Sequence, residues 1–158
     1  MNEGEFYFVS PNFYTVFPCE YYMDDKPSVA GQPHNRAYCV AYQEGNINWL
    51  VPISSKIEKF TAIYDTEISR GKKCDYIVFG KVLGYNKAFS IRNMIPITQQ
   101  YILNQYISKN NSVLISISLL NELRNKTKLI LNLIRTGIFH TKIPVLEIEN
   151  SLKQNSYS

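Results

Sequence analysis

The first half of the chain alternates short runs of aromatic and β-branched residues with turn-forming residues, a pattern typical of β-strands. Residues 5–9 (EFYFV) predict a first strand, which the turn signal Ser10-Pro11-Asn12 ends. From there to Asn35 the sequence keeps no period, so we expect a long loop with room for one helical turn.

Two pairs of strand-like runs predict two β-hairpins. The first pair flanks Gln43-Glu44-Gly45-Asn46 and the second flanks Gly84-Tyr85-Asn86, where glycine and asparagine take positive φ at low cost. Pro52 is expected at a strand end or an edge, because proline donates no hydrogen bond to a ladder. Short antiparallel strands at this spacing tend to curl into a small, half-open barrel. The four predicted strands are residues 36–42, 47–53, 76–83 and 87–91.

The second half of the chain changes to helical periodicity. Residues 98–108 predict a short helix, and residues 111–136 predict a long one with apolar side chains at helical spacing. Gly137 stands where a C-terminal cap belongs, and Pro144 opens a predicted final helix (VLEIENSLKQ). Strands followed by helices predict an α+β fold, with the helices packed on a small curled antiparallel sheet.

The composition is that of one globular domain. The 158 residues, 45% hydrophobic and 19% charged, suffice for one core, so we expect a single domain over residues 1–158.

The net charge is +4, yet residues 1–25 contain five of the 13 acidic residues and no lysine or arginine. The rest of the chain is therefore distinctly basic. This asymmetry suits a polyanionic partner such as nucleic acid, and ordinary surface solubility explains it equally well.

Three features predict the compartment. Cys19, Cys39 and Cys74 are odd in number and widely spaced, which argues against a disulfide scaffold and a structural zinc site. The N-terminus MNEGEFYF has neither the basic nor the apolar segment of a secretory leader, and no run is long enough to cross a bilayer. We expect a cytoplasmic protein without a membrane partner.

The sequence lacks most of the motifs that support common enzyme chemistry. His34 and His140 are far apart, no His/Cys/carboxylate cluster has the spacing of metal ligands, and neither a phosphate-binding P-loop nor a G-x-S-x-G elbow is present. We therefore expect no metal and no cofactor. Residues 52–56 (PISSK) remain, at a predicted strand end. Two hydroxyls beside an ammonium can hold a phosphate, and a solvated turn rich in serine is the alternative interpretation.

Residues 52–56 resemble the P-L-[ST]-S-x-K signature of the ToxN/AbiQ (CptN-like) family of type III toxin-antitoxin endoribonucleases. Residues 35–40 (NRAYCV) resemble the family's N-[PR]-x-x-x-x-V element, and residues 91–97 (IRNMIPI) resemble its N-x-x-x-M-I-P-[IV] element. The matches extend from about residue 34 to residue 97. The resemblance implies a compact, curled β-sheet with helices, similar to the MazF and Kid toxins.

The resemblance also assigns active-site residues. Ser54 and Ser55 correspond to the family's hydroxyl pair, Lys56 to its catalytic lysine, and Arg36 to a lysine that faces the same phosphate. In many relatives one residue separates the serine from the lysine, so Lys59 is an alternative source of the charge. Where relatives have a tyrosine before the Arg36 position, this chain offers His34 as a candidate for acid–base work.

An RNase of this kind uses the substrate's own 2′-hydroxyl as the nucleophile and needs no metal. The resemblance implies cleavage of single-stranded cellular or phage mRNA to 2′,3′-cyclic phosphate and 5′-hydroxyl ends. Phage abortive infection and the maintenance of a plasmid or locus are both open as the biological role. The resemblance further implies inhibition by a repeated RNA pseudoknot, which the toxin cuts from its precursor and holds in its active site. Toxins and RNAs then alternate in a closed hetero-oligomer.

RNA binding calls for basic and aromatic side chains around this site. Of the aromatic residues near the motif, we expect most in the core and one or two as base-stacking surfaces, with Trp49 among the candidates. The predicted RNA-binding cations, with solvated surface charge as the alternative, are Lys59, Lys72, Lys73, Lys81, Lys87, Arg124, Lys126, Lys128 and Arg135.

Two other functions fit the same features. A related barrel toxin, an mRNA interferase or a gyrase inhibitor, is blocked by a protein antitoxin and predicts an adjacent gene for a small acidic protein. An RNA-binding module without catalysis uses the Ser-Ser-Lys turn only to grip phosphate.

Overall fold

In the computed structural model, which describes residues 1–23 and 36–156, the chain forms an antiparallel sheet with helices packed on it. The main sheet consists of β1 (Phe6–Val9), β2 (Ala37–Glu44), β3 (Ile47–Ser54), β4 (Ile77–Val82), β5 (Tyr85–Ser90), β6 (Ile95–Ile97) and β7 (Ile102–Gln105). A separate small hairpin pairs β8 (Ile107–Ser108) with β9 (Asn111–Ser112). The α-helices are α1 (Pro11–Val16), α2 (Ile57–Ser69), α3 (Ile117–Arg135) and α4 (Val145–Asn155).

The sheet is organised around β3. Its strand order is β4-β5-β3-β2-β1-β7, and β6 also pairs with β3. One edge of β3 pairs along its length with β2, while the other edge pairs first with β6 and then, at Ile53 and Ser54, with β5. Within the described residues the sheet is open, with β4 and β7 at its two ends. The α+β prediction with a small antiparallel sheet is confirmed, although the sheet does not close.

Both predicted hairpins are present, with tighter turns than the sequence indicated. The β2–β3 turn is the pair Gly45-Asn46, with Gly45 at a φ of 62°. The β4–β5 turn is Leu83-Gly84, with φ values of 52° and 82°. Positive φ at both central residues matches the right-handed twist of the flanking strands, which explains why Leu83 accepts a left-handed conformation.

The prediction that Pro52 marks a strand end or an edge is wrong. Pro52 lies inside β3, opposite Tyr38 of β2. On the far edge of β3, the described pairing with β6 stops at Leu50 and that with β5 starts at Ile53. The proline thus stands where one ladder is interrupted, a place that suits a residue without an N–H.

Two helix predictions need correction. Residues 98–108 form no α-helix, because Gln99–Tyr101 makes a single 3-10 turn and β7 then pairs with β1. The long helix begins six residues later than predicted, at Ile117, where the Ser116 hydroxyl accepts a hydrogen bond from the Leu119 N–H at 3.2 Å. Its predicted C-terminal cap is confirmed, since Gly137 has a φ of 78°.

The predictions for the remaining helices are confirmed in part. The one helical turn expected after the first strand is present as α1, and the final helix follows Pro144 as predicted. Helix α2 has no counterpart among the predicted helices.

The core lies between the sheet and the long helices. Fully buried side chains of the sheet, such as Phe6, Trp49 and Ile95, form one cluster with Leu123 and Leu131 of α3. Cys39 and Cys74 are buried in it, whereas Cys19 is only half-buried. Among the described helices, none combines the length and apolar character that crossing a membrane requires.

Candidate active site

The two serines at the end of β3 have different surroundings. Ser54 is 6% exposed, and its hydroxyl accepts a hydrogen bond from the Lys56 N–H at 3.1 Å. Ser55 is exposed. Ser54 therefore helps to shape the turn that leads into α2, while Ser55 presents its hydroxyl at the surface.

A second lysine reaches Ser55 from the neighbouring strand. Lys87 Nζ of β5 donates a hydrogen bond to Ser55 Oγ at 2.5 Å. This contact follows from the strand register, because Ile53 pairs with Phe89 and Ser54 pairs with Ala88. One further step along this register brings Lys87 beside Ser55.

Helix α2 begins directly after the serines. The Ile57 N–H bonds to the Ser55 carbonyl at 2.9 Å, and Lys56 occupies the N-cap position without a side-chain cap. Lys56 and Lys59 are both exposed at this end of the helix. A helix N-terminus carries a partial positive charge and unpaired N–H groups, so this junction attracts anions.

Arg36 lies at the same end of the sheet. Its Nη1 donates to the Ile53 carbonyl at 2.7 Å, which holds the half-buried guanidinium one residue before Ser54. Arg36, Ser54, Ser55 and Lys56 thus lie at the same end of the sheet, and their roles in catalysis stay a prediction. His34, the acid–base candidate, lies outside the described residues.

The basic face of α3 is engaged by nearby side chains. Arg124 pairs with Glu3, and Lys126 pairs with Glu122 at 3.0 Å. Lys128 Nζ lies 5.4 Å from the centre of the Tyr42 ring. The acidic N-terminal segment therefore packs against α3, because its Glu3 carboxylate neutralises the charge of Arg124. By contrast, the predicted RNA-binding residues Lys72, Lys73 and Lys81 are exposed.

Arg135 joins three elements at the end of α3. Its Nη2 contacts Glu44 of β2 at 2.6 Å and Glu149 of α4 at 2.7 Å, and Lys153 also reaches Glu149 at 2.9 Å. The hydrogen bond from Arg135 lowers the pKa of Glu44, and the same bond raises the pKa of Arg135. These ion pairs connect α3 to β2 and to α4.

The aromatic residues near the motif are mostly core, as expected. Tyr38 and Phe60 are buried, and Trp49 is 0% exposed with the Arg135 guanidinium 5.9 Å from its ring centre. The prediction of Trp49 as an RNA-binding residue is therefore wrong, because a ring without exposed surface cannot stack on a base. Tyr85, which is not among the RNA-binding residues predicted from the sequence, is 71% exposed. It precedes Lys87 by two residues in β5, so both side chains leave the same face of the strand.

A cavity of about 450 Å³ lies at the opposite end of the β2–β3 hairpin. Its lining is mainly uncharged and polar and includes Gln43, Asn48, Thr98 and Gln99. The candidate active site is separate from this cavity. Within residues 1–23 and 36–156, no three His, Cys, Asp or Glu side chains come together in a way that could hold a metal ion.

No protein-family model matches the sequence, and no curated protein matches it. The structure is similar to that of AbiQ, a lactococcal anti-phage endoribonuclease of the type III toxin-antitoxin system, with a TM-score of 0.63 and 13% sequence identity. The similarity covers 98% of this chain and 99% of AbiQ. The resemblance inferred from the sequence motifs is thus confirmed at the level of the fold.

Proposed function

We propose that this chain is an endoribonuclease toxin of a type III toxin-antitoxin system. The observation that carries the proposal is the position of Ser55 and Lys56 at the β3–α2 junction, on a fold shared with AbiQ along the whole chain. An exposed hydroxyl, lysine side chains and a helix N-terminus at one strand end form a surface suited to a phosphate group.

The proposed reaction is a transphosphorylation within the RNA. The 2′-hydroxyl loses its proton to a general base as its oxygen attacks the adjacent phosphorus and an O2′–P bond forms. The P–O5′ bond breaks, and the departing 5′-oxygen takes up a proton from a general acid. The products are a 2′,3′-cyclic phosphate and a 5′-hydroxyl. Neither water nor a metal ion enters this step, and DNA is no substrate because it lacks the nucleophile.

The side chains at the junction have distinct roles in this proposal. Lys56 and Arg36 stabilise the negative charge that grows on the phosphate oxygens, and Ser55 donates a hydrogen bond to the same group. Ser54, held by the Lys56 N–H, fixes the backbone of the turn. His34 is the proposed candidate for proton transfer, since the pKa of an unperturbed histidine suits acid–base catalysis near neutral pH.

RNA bases require a stacking surface beside the phosphate site. Tyr85 is proposed for this role, because it is exposed and shares a strand face with Lys87. The exposed cations Lys72, Lys73 and Lys81 are proposed to contact the RNA backbone away from the cleavage point.

The proposed partner is an RNA antitoxin made of pseudoknot repeats, cut from its precursor by the toxin and retained in the active site. The AbiQ-like fold and the anion-attracting strand end support this partner. The proposed assembly is a closed ring of toxins and RNAs in the bacterial cytoplasm, and the substrates are cellular or phage mRNAs.

The test is incubation of the purified protein with total RNA in the presence of EDTA, alongside the Ser55→Ala variant. We expect the wild type to cut the RNA and the variant to be much slower. Intact RNA with the wild type would leave a binding module as the better explanation. Short tandem repeats in the DNA upstream of the reading frame are expected for an RNA antitoxin, and a small acidic protein gene in their place would favour a protein antitoxin.

A further inference from the structure

Lys87 differs from the other predicted RNA-binding lysines near the site. Lys59, Lys72, Lys73 and Lys81 are exposed, whereas Lys87 is half-buried and has a specific partner, Ser55 Oγ, at 2.5 Å. Its neighbour across the β4–β5 ladder is Gly80, against which Leu119 of α3 packs. The β3–β5 and β4–β5 registers place the Lys87 backbone beside Ser55, and the hydrogen bond to Ser55 locates the ammonium group.

The chemistry of the two groups determines the direction of their hydrogen bond. An ammonium group has three donors and no acceptor, so the Ser55 oxygen accepts from Lys87. The hydroxyl proton of Ser55 then has to point away from Lys87. Because Ser55 is exposed at the N-terminus of α2, this proton is available to an anion that binds there.

We propose that Lys87 is a positioning residue of the active site, which holds the Ser55 hydroxyl as a donor to the scissile phosphate. This inference rests on the proposed ribonuclease function and deepens it.

The test compares steady-state cleavage of a single-stranded RNA oligonucleotide by the wild type and by Lys87→Met, Lys87→Arg, Ser55→Ala and the double variant Lys87→Met/Ser55→Ala. Lys109→Met is the matched control for the loss of one lysine charge, because Lys109 lies in the β8–β9 turn, outside the main sheet. Thermal denaturation of each variant checks that it folds.

We expect Lys87→Met to lower kcat by about 10- to 100-fold with a smaller change in KM, the loss typical of a hydrogen bond to a charged group. Lys87→Arg, which keeps the charge, is expected to recover part of this loss, and Lys109→Met is expected to match the wild type. Because Lys87 acts through Ser55, the double variant should be at most about threefold slower than Ser55→Ala alone.

Each other outcome overturns the inference in a recognisable way. A higher KM with an unchanged kcat would make Lys87 a simple binding cation, and multiplied losses in the double variant would make it independent of Ser55. Kinetics of Lys87→Met equal to those of the wild type would remove its role while leaving the ribonuclease proposal intact. RNA left uncut by the wild type would instead overturn the proposed function, and this inference with it.

Discussion

Gly80 of β4 lies directly against Leu119 in the first turn of α3. A β-carbon at position 80 would collide with Leu119 Cδ2 and would lie 2.7 Å from Leu119 Cδ1. Because Gly80 pairs with Lys87 across the β4–β5 ladder, this contact seats α3 on the strands that carry the site. Position 80 therefore has to be a glycine for Leu119 of α3 to pack against β4.

The first prediction concerns this contact. Gly80→Ala should lower the free energy of unfolding by about 1–3 kcal/mol, the usual cost of overpacking a core. Leu119→Ala alone should also destabilise, because it leaves a cavity. In the double variant the added methyl group occupies space that the leucine side chain vacated. The loss in free energy of unfolding should therefore be smaller than the sum of the losses in the two single variants. Urea denaturation measures all three, and strictly additive losses would contradict the packing argument.

The second prediction concerns Glu44, whose pKa is lowered in the folded state from the ordinary value of 4.5 by the hydrogen bond from Arg135. A lowered carboxyl pKa adds stability above pH 4.5, and this contribution is lost as the pH falls through the folded-state pKa. Glu44→Gln should therefore be less stable than the wild type near neutral pH, and the gap should narrow as the solution is acidified.

Chemical denaturation at a series of pH values measures this gap. Glu122→Gln is the control, because Glu122 is exposed and its ion pair with Lys126 runs along its own helix. It should change stability little at any pH, as is usual for surface ion pairs. A gap for Glu44→Gln that stays constant on acidification would show that the carboxylate contributes nothing to the pH dependence.

The third prediction separates Lys56 from Lys59 as the source of charge at the phosphate. Lys56→Ala should slow RNA cleavage by a factor on the order of 10²–10³, the range found for removal of a donor aimed at developing charge. Lys59→Ala should have a smaller effect, because Lys59 lies further along α2. Growth arrest by each variant without the antitoxin gives the readout in cells. Arrest by Lys56→Ala but not by Lys59→Ala would assign the role to Lys59.

The fourth prediction concerns base stacking on Tyr85. Tyr85→Ala should weaken binding of a non-cleavable 2′-O-methyl oligonucleotide by about 1–3 kcal/mol, the value typical of one aromatic–base stack. Tyr85→Phe keeps the ring and should bind like the wild type. Fluorescence anisotropy measures both affinities. Equal binding by Tyr85→Ala and the wild type would place the RNA on another face of the hairpin.

The sequence predicts those strands, helices and caps that depend on residues close together in the chain. The strands of both hairpins, the cap at Gly137 and the helix after Pro144 each follow from a few neighbouring residues. The pattern of Ile57, Phe60 and Tyr64 has the spacing of a helix face, so α2 could also have been recognised.

The misassigned and missed features depend on long-range pairing. Residues 102–105 have a helix-like pattern, yet they form a strand because the edge of β1 is available to them. The contact between Lys87 and Ser55 joins residues 32 positions apart and depends on β5 pairing with β3. The burial of Trp49 likewise depends on β6 and α3, which no local pattern places beside it.

The proposed mechanism is tested most directly by asking whether cleavage requires the 2′-hydroxyl next to the scissile phosphate. Sequencing of 5′ ends locates a cleavage site in RNA, and an oligonucleotide of that sequence is then made with and without a 2′-deoxy ribose on the 5′ side of the scissile phosphate. In EDTA, the wild-type protein should convert the unmodified oligonucleotide to a 2′,3′-cyclic phosphate and a 5′-hydroxyl, and should leave the deoxy version uncut. Equal cleavage of both, or products with 5′-phosphates, would contradict the mechanism.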